Sequence, residues 1–518
     1  MFAIAQSGLI REVVAAMQAF TGLGSFDPVP SVEQSKAVSI TVGRKSPEAE
    51  FSGALISPGA SLPDEVLVDW ESLSAAGFAA GVGQTLILPQ AERPTLVLVG
   101  AGPGSDLDAD KLRDAAAAFA RATESSGNLE LAIPDTGGVT PAVAAQVVVE
   151  GVLLARYRFD ALKEGPTVTP ITSLNLVVEG RRSAATKRGA AKGKTMSEAT
   201  QMARDLANSP PAYLTASRIA QVAVDIGPGR GLTIEVFDKD QLVEMGCGGL
   251  LGVNAGSSEP PRMVKLIYKP AKPRGHLTLV GKGIMYDAGG IAVKPGDAVH
   301  ATMKNDMSGA AAILAAMSEL ASLGCRAAVT GYLMCTDNLP SGTAIAMGDV
   351  LKVRGGKTVE VANTDAEGRL VMADALVLAA EEGTDAIIDI ATLTGAAMRA
   401  LGTQVAGVIG NNAQMIEQVE SAAAATGESV WELPLEHRYR GELNSDVADI
   451  KNLGGPNAGA ITAALFLEEF VAGLPWAHID IAGTAQNDRD TSWRPPGCTG
   501  FGARLLIELA LNFSRPRA

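Results

Sequence analysis

Apolar residues along the chain follow two alternating rhythms, short strand-like runs and longer alanine-rich runs at helical spacing. In the first third, Glu65 to Val68, Thr85 to Leu88 and Thr95 to Val99 read as strands, while Asp110 to Thr123 and Val143 to Arg156 read as helices. Leu174-Asn175-Leu176-Val177-Val178 adds a further strand. The stretch from Arg181 to Lys194, rich in Gly, Ala, Lys and Arg, then reads as a linker. Beyond it the alternation returns more strongly. Leu277 to Gly281, Ala327 to Leu333 and Ala386 to Ile390 read as buried strands, and Met307 to Leu323 as a helix. Nearly continuous apolar strands separated by helices imply a largely parallel sheet covered on both faces. The expectation is an α/β protein of two domains. A smaller N-terminal α/β domain spans 1–180, a linker 181–194, and a larger C-terminal α/β domain 195–518, its central, mostly parallel sheet flanked by helices.

Length agrees with this division, since 518 residues exceed what one hydrophobic core usually supports. The 43 Lys+Arg against 57 Asp+Glu give a net charge of -14, which disfavours nucleic acid and anionic membranes as partners. Cys247, Cys325, Cys335 and Cys498 are scattered without metal-finger or CxxC spacing, so reduced thiols and a cytoplasmic location are expected. Arg11 and Glu12 interrupt the apolar amino terminus, and no run approaches about 18 apolar residues. Neither a signal peptide nor a membrane span is expected.

The chemistry concentrates in three segments. In Asn363-Thr364-Asp365-Ala366-Glu367-Gly368-Arg369-Leu370, two carboxylates and a guanidinium follow the strand-like 358–362 and precede a helical run through Leu376 and Ala379. That is the strand-end crevice where open α/β sheets bind ligands. Gly281 to Gly296 carries Lys282, Asp287 and Lys294 among five glycines, and Asp306 opens the helix after Met303. Each residue alone has an ordinary explanation, such as a helix cap for Asp306. Together, four carboxylates gathered at one sheet edge would repel one another unless positive charge compensates. Oxygen ligands without neighbouring His or Cys suit Mg, Mn or Zn held by carboxylates. Two cations about 3.5–4 Å apart can share bridging carboxylates and a water whose pKa they lower. A lysine joins such a set only as the neutral amine, and a neighbouring cation depresses its pKa. Arg369, always charged and in a first helical turn, suits a planar anion.

The strings NTDAEGRL at 363–370, VGKGIMYDAGGIAVKPG at 280–296, MKNDMSGAAA at 303–312 and DIATLTGA at 389–396 resemble the leucine aminopeptidase family of two-metal cytosolic aminopeptidases. Asn208-Ser209-Pro210-Pro211, Pro340-Ser341-Gly342 and Asp480 to Ala485 are also similar to family segments, so the likeness covers about 195–518 in order. The resemblance implies one metal held by Lys282, Asp287, Asp306 and Glu367, and a second by Asp287, Asp365 and Glu367, with Asp287 and Glu367 bridging. It makes Lys294 the electrophilic partner of the scissile carbonyl. It places a bicarbonate on Arg369 to take a proton from the attacking water. Met303, Thr392, Leu393 and Gly395 match substrate-pocket positions. The substrates implied are peptides with a free amino terminus, which binds a metal, and leucine and other apolar residues are released. The metals implied are Mn or Zn, and the assembly a homohexamer. Ala288 stands where the family has serine and Tyr286 where it has phenylalanine, which bears on tuning rather than ligation.

Two other readings remain for comparison: a two-metal phosphoester hydrolase, and a nucleic-acid-binding oligomer with an inert site that uses the basic 181–194 run. The apolar pocket positions weigh against the first, and the acidic total against the second. Gly189 to Thr195 has three residues between its glycines where a phosphate-binding loop needs four. His276, His300, His437 and His478 lack ligand spacing and are expected to be structural or at the surface.

Overall fold

The computed structural model describes residues 26–91, 94–133, 138–178 and 183–517. Residues 1–25, on which the reading of no export signal rested, lie outside them. β1 (Ser39–Gly43), β2 (Phe51–Ile56), β3 (Thr85–Leu88), β4 (Thr95–Gly100), β5 (Asn128–Ala132) and β6 (Ser173–Val177) form one sheet in the order β1-β6-β5-β2-β4-β3. All its pairings are parallel except β3 with β4. The helices Ala109–Ala122 and Pro141–Ala155 begin where sequence chemistry starts helices. Asp108 accepts from Lys111 N, and Thr140 accepts from Val143 N with Pro141 in the first turn. The expected strand at Glu65 to Val68 is absent: the segment is a turn and irregular chain, with Leu67 exposed. It follows Pro63 and Asp64, and Val66 N donates to the Pro63 carbonyl at 2.9 Å, so the chain turns there rather than extending.

The expected linker is also corrected. From residue 183 it is the start of a 26-residue helix, Ser183–Asn208, packed along Pro141–Ala155. A Cβ on Gly189 would strike the backbone of Ala142, and one on Gly193 that of Gln146. The small residues that suggested a flexible tether instead let two helix backbones approach closely. The phosphate-loop-like Gly189 to Thr195 is helical for the same reason.

The two domains also share a buried ionic contact. Glu150 Oε2 accepts from Arg504 Nη1 at 2.7 Å and from Arg113 Nε at 3.0 Å, all three side chains being almost fully buried. Arg204 lies over the Tyr157 and Trp493 rings at 5.3 and 5.9 Å. Glu150→Ala leaves Arg504 with a 3.9 Å approach to Glu428 as its one remaining ion pair among the described residues, beside the Trp493 ring at 4.2 Å, so denaturant unfolding should show a loss of about 3–5 kcal/mol. A loss under about 1 kcal/mol would mean that this contact does not hold the domains together.

The larger sheet comprises β7 (Thr233–Phe237), β8 (Arg262–Tyr268), β9 (His276–Asp287), β10 (Ala328–Asn338), β13 (Ala386–Ala391), β14 (Ala406–Gly410), β15 (Val430–Glu432) and β17 (Trp476–Asp480). Its order is β15-β14-β17-β13-β9-β10-β8-β7, with β17, β13, β9 and β10 parallel at the centre. Side chains alternate between two cores. Leu277, Leu279, Ile388 and Ile390 face the helices Ser308–Glu319 and Ala503–Asn512, while Val280, Ile284 and Ile387 face Gly368–Glu381 and Gly459–Glu468. β11 (Val350–Lys352), β12 (Thr358–Glu360) and β16 (Ile450–Lys451) form a separate three-stranded sheet. The strand expected before Asp365 is therefore β12, shorter than expected and outside the main sheet. Among the described residues no helix is long and apolar enough to cross a membrane.

Candidate metal and catalytic centre

The parallel strands β9, β10, β13 and β17 end at one edge with Asp287, Asn338, the loop Thr392 to Gly395, and Asp480. Lys282 projects from β9 into the same space. Its Nζ lies 2.8 Å from Asp306 Oδ1, 2.9 Å from Glu367 Oε1 and 2.8 Å from the Thr392 carbonyl oxygen. Lys294, in the loop after β9, reaches Asp287 Oδ2 at 2.8 Å and Asp365 Oδ1 at 2.6 Å. Asp306 is not a helix cap. It lies in the 3-10 turn His300–Met307 ahead of the helix, where it accepts from Thr392 Oγ1 at 2.7 Å. A Cβ at Gly368 would stand 2.6 Å from Lys282 Cε and would push the amine away from its carboxylates. Segments well separated in sequence, 282–306 and 365–367, thus converge on four carboxylates and two amines.

The electrostatics are those of a crowded acidic site. Burial opposes charge on Lys282, yet Asp306, Glu367 and Asp287 outweigh it and raise its pKa. Lys294 is raised in the same way, against burial, by Asp287 and Asp365. Burial and then Glu367 push Asp287 up, and burial pushes Asp306 up. Glu367 is buried too, but Lys282 draws it below the usual range. Two ammonium groups against four carboxylates leave the centre short of positive charge.

That deficit fits divalent cations. Asp287, Asp365 and Glu367 offer carboxylate oxygens all within 4.8 Å of one another, and buried Asp306 Oδ2 has no hydrogen-bond partner among the described residues. All are hard oxygen donors. Arg369 is buried in the first turn of Gly368–Glu381; its Nη1 donates to the Asn452 carbonyl at 2.9 Å, and its Nε has no partner among the described residues. Burial lowers it to about 10, against Glu367 and Asp480, which leaves a charged guanidinium edge free for an anion.

Of the expected pocket residues, Thr392 is bonded to Asp306, Leu393 and Gly395 follow it in the same loop, and Met303 lies one 3-10 turn before Asp306. Leu393 and Met303 are half-buried and Gly395 exposed. Sequence reading missed three polar supports. Asn338 Nδ2 donates to Asp287 Oδ1 at 2.8 Å and the Thr364 carbonyl at 3.0 Å, and approaches Glu367 Oε2 at 3.4 Å. Asp480 accepts from Leu393 N, Thr394 N and Thr394 Oγ1, fixing the pocket loop. Asn452 binds the 362–366 loop on both sides. Asp480 opened a segment already singled out by resemblance and Asn338 adjoined another, whereas Asn452 carried no signal. The histidines lie apart, as expected. His478 pairs with Asp389 inside the sheet, His276 meets Thr330, and His300 stacks on Tyr286 with centroids 5.8 Å apart.

An acidic, amine-containing centre at the carboxyl edge of a mixed sheet defines a class, that of metal-dependent hydrolases. Comparison with known proteins narrows it. Residues 201–507 match the cytosol aminopeptidase family catalytic domain, and residues 58–166 the N-terminal domain of the same family. A probable cytosol aminopeptidase of Streptomyces avermitilis is 42% identical over 496 residues, covering 92% of this chain and 96% of that one. Another, of Chlorobaculum tepidum, is 44% identical over 461 residues, covering 84% and 91%. The solved structure of the bottromycin maturation enzyme BotP in complex with Mn is similar with a TM-score of 0.83 and 38% identity, covering 89% of this chain and 99% of that one. The chain belongs to the cytosol aminopeptidase family. It is thereby a metal-dependent aminopeptidase, a hydrolase of peptides.

Proposed function

We propose that the protein removes amino-terminal residues, leucine and other apolar ones foremost, from peptides by means of two divalent cations, Mn or Zn. The observation that carries this reading is the convergence of Asp287, Asp306, Asp365 and Glu367 around Lys282 and Lys294. Lys282, Asp287, Asp306 and Glu367 would hold one cation, and Asp287, Asp365 and Glu367 the other. When bound, the pair polarises the scissile carbonyl and makes an attacking water acidic.

The remaining work falls to the chain. As a ligand Lys282 would give its proton up to solvent, reversing the ammonium state that its carboxylate neighbours favour. Lys294, freed from Asp287 and Asp365, places positive charge where the carbonyl oxygen becomes anionic. Arg369 would hold a bicarbonate on its guanidinium edge, and such an anion would supply a proton acceptor to a cluster whose own charged groups, among the described residues, are carboxylates and amines. Met303, Thr392, Leu393 and Gly395 receive the first side chain, and one of the cations would hold the free amino group. A cytoplasmic homohexamer is the assembly and location that accompany this reading.

Family membership supports peptides over phosphate esters as substrates. The test pairs metal analysis with hydrolysis of amino-acid amides. About two Mn or Zn per chain and rapid release from leucine amide are expected. Acetylation of the substrate's amino group should lower kcat/KM at least about a thousandfold, since the buried cluster then meets no amine. Efficient cleavage of acetylated peptides would indicate an endopeptidase or amidase instead.

A further inference from the structure

We infer that Asn452 is a positioning residue that fixes the Asp365–Glu367 loop and Arg369 relative to each other. This rests on the two-metal reading above. Asn452 is fully buried and follows β16, whose parallel pairing with β12 delivers it beneath the loop. Its Oδ1 accepts from Ala362 N at 2.8 Å and Asn363 N at 3.2 Å. Its Nδ2 donates to the Asn363 carbonyl at 2.7 Å and the Ala366 carbonyl at 3.2 Å. One side chain thus grips the backbone on both sides of Asp365 and immediately before Glu367. Its own carbonyl takes Arg369 Nη1 at 2.9 Å.

Only a neutral amide supplies an acceptor and two donors from one planar group. The assignment of oxygen and nitrogen is fixed by the partners, because exchanging them would oppose two carbonyls to an oxygen and two N–H groups to an amine. A carboxylate spacing set to within a fraction of an ångström is what two shared ligands need, and outer partners of metal ligands typically govern affinity and rate by 10–100-fold. The loop's own contacts leave that spacing incomplete. Thr364 Oγ1 donates to the Gly289 carbonyl, and Asn363 Oδ1 accepts from Asp365 N, but among the described residues no other side chain binds the Ala362 N–H or the Ala366 carbonyl.

Asn452→Asp tests this in the full-length protein. The replacement keeps shape and the contacts to Ala362 N and Asn363 N, but turns an oxygen toward the two carbonyls. Asn452→Ala removes all four contacts. Mn titration of metal-stripped protein, followed by electron paramagnetic resonance, should show affinity weakened at least tenfold in Asn452→Asp. Its kcat for leucine amide should fall at least tenfold at saturating Mn while KM changes less than about threefold. Asn452→Ala should show the same split. Wild-type Mn affinity and wild-type kcat in variants that remain folded, even with a lowered melting temperature, would reduce Asn452 to a packing residue and overturn the inference. Failure of the wild-type protein itself to bind two Mn would instead overturn the two-metal reading, so the two failures are distinct.

Discussion

Glu367→Ala is expected to lower kcat/KM for leucine amide by at least about a thousandfold, together with loss of metal on dialysis, because one side chain serves several partners at once. Its Oε1 lies 2.9 Å from Lys282 Nζ, its Oε2 approaches Asn338 Nδ2 at 3.4 Å, and the side chain is almost wholly buried. Removing it withdraws a shared ligand from both proposed cations. The fold should survive the change. Lys282 keeps Asp306 and the Thr392 carbonyl as partners, so no buried ammonium is stranded. Glu367 also starts the helix Gly368–Glu381 without using its side chain as a cap, and the helix loses nothing there. Metal analysis of dialysed protein, circular dichroism and a saturation curve for leucine amide separate these effects. A folded variant with full metal content and normal turnover would show that Glu367 is not a shared ligand.

The parts of this molecule legible in its sequence are those whose chemistry is local. β4, β6, β10 and β13, and the helices Ala109–Ala122 and Pro141–Ala155, fall where apolar rhythm and capping residues place them. The failures differ in kind. Glu65 to Val68 has the alternation of a strand but folds through a turn, Val66 N donating to the Pro63 carbonyl. Gly189 and Gly193 look like hinge glycines until the Pro141–Ala155 helix is seen lying against them. A glycine that loosens a chain and one that admits a neighbouring backbone are the same residue in sequence.

The centre divides along the same line. Carboxylates and lysines beside glycines and strand ends are conspicuous because charge is costly at such places, so Asp287, Asp306, Asp365, Glu367, Lys282 and Lys294 could be proposed together. What joins them is less conspicuous. Asn338, Asn452 and Asp480 act through backbone groups and through other polar side chains 26 to 90 residues away, and an asparagine after a two-residue strand announces nothing. Asp306 shows the reverse case: its sequence setting suggests a helix cap, and only contact with Lys282 and Thr392 reveals where it points.

Removal of metal by a chelator should abolish hydrolysis of leucine amide and leave the protein folded, with a lower melting temperature, and added Mn or Zn should restore both. Folding without metal is expected because each lysine already bridges two carboxylates, Lys282 between Asp306 and Glu367 and Lys294 between Asp287 and Asp365. Neutralisation stays incomplete, with two positive groups against four negative ones. Burial pushes Asp287 and Asp306 upward and the neighbouring carboxylates add to it, so a cation that binds the native state alone relieves both. At free metal about a thousandfold above Kd, linkage contributes about 4 kcal/mol, which for a domain of this size raises the melting temperature by about 5–10 °C. Calorimetry of chelated and reloaded protein, with activity measured on the same samples, reads both effects. Full activity in protein shown to be metal-free would remove the basis of the mechanism, since Lys282 and Lys294 would then remain ammonium groups paired with carboxylates, and neither could ligate a cation or stabilise an oxyanion.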